Sequence, residues 1–217
     1  MNKKISILFI IVFNLIPILG VASFNWQPFE AFWFFWVETL IMALFNTIKI
    51  VFSQGQLPDN INTNKPLVYH LNKGIKYLAI RIAIFLFYAI FIVTFIGFVA
   101  NVNKDKLAVL TTLLFQNNLF NAGLLISIFS QGYYLLTGFF SNGVFYTSTP
   151  ASFAAIFDGR QIVIHVAIVI GALGAIFMEK YTSFGSYGSI FIISLLCICK
   201  CIFDISTKCT INNKLPG

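Results

Sequence analysis

The chain has 217 residues, of which 59% are hydrophobic and 10% are charged, and its mean hydropathy is +0.88. A soluble domain carries about 25% charged residues, so this composition excludes an ordinary soluble protein and predicts an all-α integral membrane protein. The net charge of +7 comes from cations that flank apolar runs instead of forming one basic face, which excludes a nucleic-acid-binding protein.

Six segments are apolar over about the 20 residues that a helix needs to cross a bilayer. They predict a bundle of about six transmembrane helices that forms a single domain, residues 1–217. In chain order the segments are 5–23, 28–51, 76–99, 121–140, 161–178 and 188–206.

The first segment has a second interpretation. A basic start, an apolar run and small residues at 20–23 form the pattern of a cleavable signal peptide. Asn14 and Pro17 interrupt the apolar run that this pattern requires, so we predict a retained helix. Cleavage stays as the alternative and would leave five spans. Only residues 24–27 separate the first two segments, which predicts a tight hairpin.

The distribution of Lys and Arg predicts the orientation. Ten of the fourteen cations lie on one predicted side, three lie on the other, and Arg81 lies inside a span. Because cytoplasmic loops carry the excess of Lys and Arg, both termini are expected in the cytoplasm. The predicted location is the bacterial inner (plasma) membrane, which the chain crosses several times.

Three stretches outside the predicted spans have distinct roles. Residues 53–75 are polar and form a predicted cytoplasmic connector. Residues 107–116 predict an interfacial helix on the outer side, with the start of a long fourth span as the alternative. Residues 150–157 predict a second interfacial helix, because Thr149 and Pro150 resemble an N-cap followed by Pro in the first turn.

Glu38 is the most informative residue, because it lies near the middle of the second predicted span. On a helical wheel it shares a face with Lys49 and lies opposite Trp33 and Trp36. We therefore expect the tryptophans to face lipid and Glu38 to point into the bundle, with Arg81 as its leading partner. A buried pair that fixes helix packing and a proton or ligand site are the two interpretations.

Further polar residues inside the predicted spans extend this site. The fourth span carries a polar stripe of Ser127, Ser130, Gln131, Tyr134 and Gly138, which suits either interhelical hydrogen bonds or a cavity lining. His165 is the best proton-relay candidate, and Lys200 and Asp204, four residues apart, are expected to neutralise each other. The candidates for a ligand or proton site are Glu38, Asn46, Lys49, Arg81, Tyr88, Gln131, Arg160, His165, Lys200 and Asp204.

Small residues and cysteines are interpreted as packing residues. Gly171 lies between Ala167 and Ala175 in a four-residue repeat, which predicts close helix packing in the fifth span. Cys197 and Cys201 are expected on one side of the last helix and Cys199 on the other; the part that these three cysteines play is left open. No catalytic residue, metal site or cofactor is predicted.

Three short motifs resemble an uncharacterised family of bacterial multi-pass membrane proteins, a domain of unknown function. They are the aromatic-Trp-x-Glu pattern at 35–39 followed by Asn46 and Lys49, the Gly-Arg-x4-His pattern at 159–165, and Lys200-x3-Asp204. The chain departs from the family pattern at Phe87 and Gln131, where relatives tend to carry histidine. The resemblance implies a fold and a topology, and no activity.

These patterns leave three function classes, in order of preference. The first is a small transporter or binder with a polar intramembrane site around Glu38, and the second is a structural or accessory membrane subunit. An intramembrane enzyme is the least favoured class. The expected partners are the lipid bilayer and a small polar ligand or ion, with a homo-oligomer or a membrane-protein partner left open.

Overall fold

A computed structural model describes residues 3–66, 68–94, 106–156 and 186–213, and residues 162, 163, 166, 169–171, 173, 174 and 177 between them. This described part of the chain is helical and contains no strand. The helices are α1 (Lys3–Ser23), α2 (Pro28–Phe52), α3 (Leu71–Phe91), α4 (Lys106–Leu113), α5 (Asn118–Tyr134), α6 (Val144–Thr147) and α7 (Ser186–Asn213). A π-helix over Leu135–Phe140 continues α5.

Three helical stretches among the described residues are long and apolar enough to cross a membrane. They are Phe29–Phe52, Leu71–Thr94 and Val109–Phe140, and Ile7–Ser23 is a shorter apolar helix. The predicted fourth span lies within one of these stretches, and the predicted second span overlaps another over residues 29–51. Helix α3 begins at Leu71, ahead of its predicted start at residue 76. Half of the predicted fifth span lies outside the described residues.

Helix α2 is the centre of the bundle, and this corrects the prediction that its tryptophans face lipid. In the most apolar window of α2, 61% of the residues are buried, against 17% in the stretch that contains α3. Trp33 and Trp36 are both buried, and the Trp36 indole N–H donates to the Phe85 carbonyl of α3 at 3.1 Å. Helices α1, α3, α5 and α7 all pack against α2, so its tryptophans contact protein instead of lipid.

The predicted hairpin between α1 and α2 is present and its turn has a clear local cause. Asn25 adopts a left-handed conformation, with φ at 54°, which Asn tolerates better than most residues. The Trp26 N–H then bonds to the Gly20 carbonyl at 3.0 Å, and the Glu30 carboxylate accepts from the Gln27 N–H at 2.9 Å. The turn is therefore closed by the end of α1 and the start of α2.

Helices α4 and α5 are separated by a turn within the apolar stretch Val109–Phe140. The chain turns at Phe115, where φ is 57°, and Asn117 caps α5 by accepting from the Phe120 N–H at 3.0 Å. Val109 and Thr112 of α4 are buried, and α4 packs against α2.

The predicted helix over 150–157 is reduced to a 3₁₀ turn, Pro150–Ser152. Ala154 and Ala155 are not helical. The chain leaves the turn at Phe153, whose ring packs edge-on against Phe139 at 5.5 Å. Burial of this aromatic ring directs the segment back onto the bundle.

The connector after α2 is tied to the segment after α5. Gln54 donates its backbone N–H to the Phe145 carbonyl at 2.8 Å, and Gln56 donates to the Tyr146 carbonyl at 2.7 Å. At the other end of the bundle, the ring of Trp26 lies 6.1 Å from that of Phe120. The ends of α2 and α5 therefore share one end of the bundle, and the starts of these two helices share the other.

Candidate functional site

The ammonium group of Lys200 is surrounded by polar side chains from three helices. We call this group of residues the charge cluster: Asn14, Glu38, Lys200 and Asp204. The Lys200 Nζ lies 3.0 Å from the Glu38 Oε2 and 3.0 Å from the Asp204 Oδ2. It donates a further hydrogen bond to the Asn14 Oδ1 at 3.3 Å. The ammonium thus has oxygen partners from α1, α2 and α7.

The charge cluster is buried. The side chains of Lys200 and Glu38 are 2% and 6% exposed, and that of Asp204 is 3% exposed. A buried charge costs several kcal/mol unless it is paired, and an ammonium carries three N–H donors. Hydrogen bonds to Asn14 and Asp204 use two of these donors, Glu38 adds an ion pair, and the rings of Phe13 and Phe35 add cation–π contacts at 5.3 and 5.0 Å.

Local structure positions each member of the cluster. Lys200 and Asp204 lie one turn apart on α7, and the structure confirms the pairing that their spacing predicts. Asn14 donates its Nδ2 to the Ile10 carbonyl at 2.9 Å, which orients the amide so that its oxygen points to Lys200. Glu38 is placed by α2, against which α1 and α7 pack.

Arg81 occupies a different place from the one predicted. Its Nη2 donates to the Thr39 carbonyl at 3.3 Å and its Nη1 donates to the Ile156 carbonyl at 2.6 Å. The described ion pair of Glu38 is with Lys200 of α7. The described hydrogen bonds of Arg81 instead join α3 to main-chain oxygens of α2 and of the segment after α5. Tyr88, also on α3, packs its ring 5.1 Å from that of Trp36.

Asn46 and Lys49 form a second polar group nearer the end of α2. The Lys49 Nζ lies 3.5 Å from the Asn46 Oδ1 and 5.0 Å from the Tyr134 ring centre. Lys49 follows Glu38 by three helical turns, a rise of about 16 Å. These residues therefore do not join the charge cluster. Gln131 is half-buried on α5.

The sequence of residues 1–215 matches a family model described as "Family of unknown function (DUF6498)". The chain belongs to this family. Comparison with the curated proteins and with the solved structures gave no match. This family has no assigned function, and neither has the family that the sequence motifs resemble. Any activity therefore has to be argued from the residues themselves.

Arg160 and His165, the remaining candidates, lie outside the described residues, as do Ala167 and Ala175 of the predicted packing repeat. Gly171 is described and buried. A Cβ at this position would meet the Leu196 side chain and would come within 2.7 Å of Phe32 Cζ. The close packing predicted there is therefore present at Gly171.

Sequence reasoning missed Asn14 as a member of the site. Asn14 interrupts an apolar run, and a polar residue within such a run is itself a signal of a partner in another helix. The cysteine prediction is confirmed where the side chains are described, because Cys197 is buried and Cys199 is exposed. Cys197 lies one turn before Lys200 and packs in the core around α2.

Proposed function

We propose that the chain is a multi-pass protein of the bacterial inner membrane, with both termini in the cytoplasm, and that the charge cluster exchanges a proton or a small polar ligand. Such a protein would act as a small transporter or binder. The apolar side chains that α3 and α5 expose support the membrane location, since a soluble protein rarely exposes large contiguous apolar patches. Phe87 and Phe129 are examples, at 72% and 69% exposed.

One observation carries the proposed activity: Lys200 lies between two carboxylates from different helices. A single carboxylate is enough to neutralise one ammonium. When two carboxylates share it, Glu38 can take up a proton while Asp204 still holds Lys200. The cluster thus has two charge states in which the ammonium stays paired, and ionisable residues inside a membrane typically mark ion or proton pathways.

A structural role is the second candidate, and the close packing of the cluster favours it. Lys200 joins α1, α2 and α7 through three oxygen partners. A buried polar network of this kind can fix one arrangement of helices without adding stability. In this case Glu38 would keep one protonation state.

Infrared difference spectroscopy separates the two candidates without knowledge of the ligand. Purified protein in lipid nanodiscs is taken through a pH step, and the carboxyl C=O band reports protonation of buried acids. If the cluster exchanges protons, the wild-type protein gives a band that disappears in the Glu38→Gln variant. Glu30→Gln is the matched control, since Glu30 is another buried acid on α2 outside the cluster.

Absence of any band that Glu38→Gln removes would contradict proton exchange and favour the structural role. Proteoliposomes with an internal pH dye provide the test of transport. We expect potential-driven proton uptake in the wild type and at least a tenfold loss in Glu38→Gln. Equal uptake by the wild type, Glu38→Gln and empty liposomes would exclude proton transport.

A further inference from the structure

A cavity of about 610 Å³ lies at the end of the bundle where the connector meets the segment after α6. Its walls come from the end of α2, the first turns of α3 and residues 149–156. This volume is within the range of about 300–1,000 Å³ that is usual for small-molecule sites. The members of the charge cluster are not among the described lining residues, so the cavity is a separate site.

The charged side chains that line the cavity are cationic. Lys73 and Lys76 are exposed and line it together with His70, and none of the described lining residues is acidic. Burial and the charge of Lys73 lower the pKa of His70 below its usual value. Residues 70–73 also begin α3, where the helix macrodipole is positive. The cavity therefore favours an anion.

Tyr77 adds a buried donor. The residue is 5% exposed, it lines the cavity, and its hydroxyl has no hydrogen-bond partner among the described residues. Burial of a polar group without a hydrogen bond is unfavourable. A ligand oxygen in the cavity would satisfy this hydroxyl.

The rest of the wall is apolar. Ile50, Ile80 and Ile156, from three parts of the chain, line the cavity with Pro150. The ligand that fits has an anionic group at the lysines and an apolar part against the isoleucines. Lys is a common phosphate ligand in proteins, and basic pockets at the cytoplasmic ends of membrane helices bind anionic lipid head groups.

We propose that this cavity binds a phosphate group, which Lys73 and Lys76 neutralise and to which the Tyr77 hydroxyl donates a hydrogen bond. An anionic phospholipid and a soluble phosphate compound share this chemistry. The apolar walls would contact the glycerol and the first acyl carbons of a lipid.

Binding is measured on the full chain in detergent micelles by native mass spectrometry, with phosphatidylglycerol, phosphatidylcholine and inorganic phosphate as separate probes. We expect phosphatidylglycerol to bind more tightly than phosphatidylcholine. Each lysine near an anionic head group contributes about 1 kcal/mol, so Lys73→Met with Lys76→Met weakens binding by about thirtyfold. If inorganic phosphate competes with phosphatidylglycerol for the cavity, the ligand is a soluble phosphate compound, and the phosphate site is still supported.

Lys65→Met is the matched control, because it removes the same charge from the neighbouring connector and Lys65 is not a described lining residue. Tyr77→Phe removes only the hydroxyl and is expected to weaken binding by at least threefold. The proposal is overturned if no probe binds. It is also overturned if the double lysine variant and Lys65→Met bind phosphatidylglycerol equally well.

Discussion

At the scale of single residues, Lys200 holds the charge cluster together. It is the shared partner of Glu38 and Asp204, and its removal would leave both acids in the core without this ammonium. Loss of one partner from a buried pair costs about 3–5 kcal/mol, whereas neutral replacement of the whole group is often tolerated. Removal of Lys200 alone is therefore expected to destabilise the protein more than neutral replacement of Glu38, Lys200 and Asp204 together.

We predict that Lys200→Met lowers the free energy of unfolding by about 3–5 kcal/mol. The triple variant Glu38→Gln, Lys200→Met, Asp204→Asn is expected to recover at least half of this loss, because no acid is left without its cation. Denaturant unfolding in mixed micelles, followed by tryptophan fluorescence, measures both. Lys76→Met is the control for removal of an exposed cation. A triple variant less stable than Lys200→Met would contradict the explanation.

The sequence predicts contacts within one helix better than contacts between helices. Lys200 and Asp204 are four residues apart, and helical spacing alone brings them together. The partner of Glu38 depends on which helix lies beside α2. A wheel does not contain this information, so it does not distinguish Arg81 from Lys200 as the partner of Glu38. Asn14 was missed for the same reason, since its partner is 186 positions away.

At the scale of elements, the wheel also fails for α2 because it assumes one lipid face. It separates Glu38 from Trp33 and Trp36 correctly, but it does not show how many neighbours a helix has. The helices packed around α2 cover its tryptophans, which are 8% and 0% exposed. The charged residues of α2, Glu38 and Lys49, are the better signal of a central helix, because ionisable side chains inside a membrane face the interior of the bundle.

Close packing of α5 against α1 and α2 depends on Gly123. A Cβ there would lie 2.6 Å from the Phe34 Cε2 and 3.1 Å from the Ile16 Cγ2. We predict that Gly123→Ala destabilises the protein by about 1–3 kcal/mol, since overpacking shifts a buried ring. Thermal unfolding in detergent measures this change.

Gly132→Ala on the same helix is the matched control. Its Cβ would be 3.8 Å from Phe45, an ordinary contact, and both substitutions gain the same helix propensity of about 1 kcal/mol. Gly132→Ala is therefore expected to be neutral or stabilising. Equal effects of the two substitutions would show that α5 does not approach α1 and α2 as closely as described.

The connector is held by the side chain of Gln56. Its Nε2 donates to the Gln54 Oε1 at 2.7 Å and to the Asn62 carbonyl at 3.3 Å, and its Oε1 accepts from the Asn62 N–H. We predict that Gln56→Ala speeds amide hydrogen exchange about tenfold or more over residues 57–62, since each lost bond is worth about 1 kcal/mol. Thr63→Ala, at an exposed position, should leave exchange unchanged, and an unchanged rate in Gln56→Ala would contradict this role.

At the scale of the whole molecule, backbone contacts relate the loops to the two ends of the bundle. The bonds from Gln54 and Gln56 to residues 145 and 146 place the connector and α6 together. Residues 114–117 lie at the far end of α5. If α3 and α5 each cross the membrane once, as predicted, residues 114–117 lie on the opposite side of the membrane from the connector and α6.

This arrangement predicts a labelling pattern in intact cells. In a background where the four cysteines are replaced by serine, Gln116→Cys is expected to react with a membrane-impermeant maleimide from outside. Asn60→Cys and Thr147→Cys, at exposed positions at the other end, should react only after the membrane is permeabilised, because the cation-rich side stays in the cytoplasm. Reaction of Asn60→Cys and Thr147→Cys from opposite sides would contradict the fold itself. If Asn60→Cys and Thr147→Cys both react from outside and Gln116→Cys is protected, the fold is still supported but the predicted orientation is reversed. The phosphate cavity would then lie at the outer surface of the membrane.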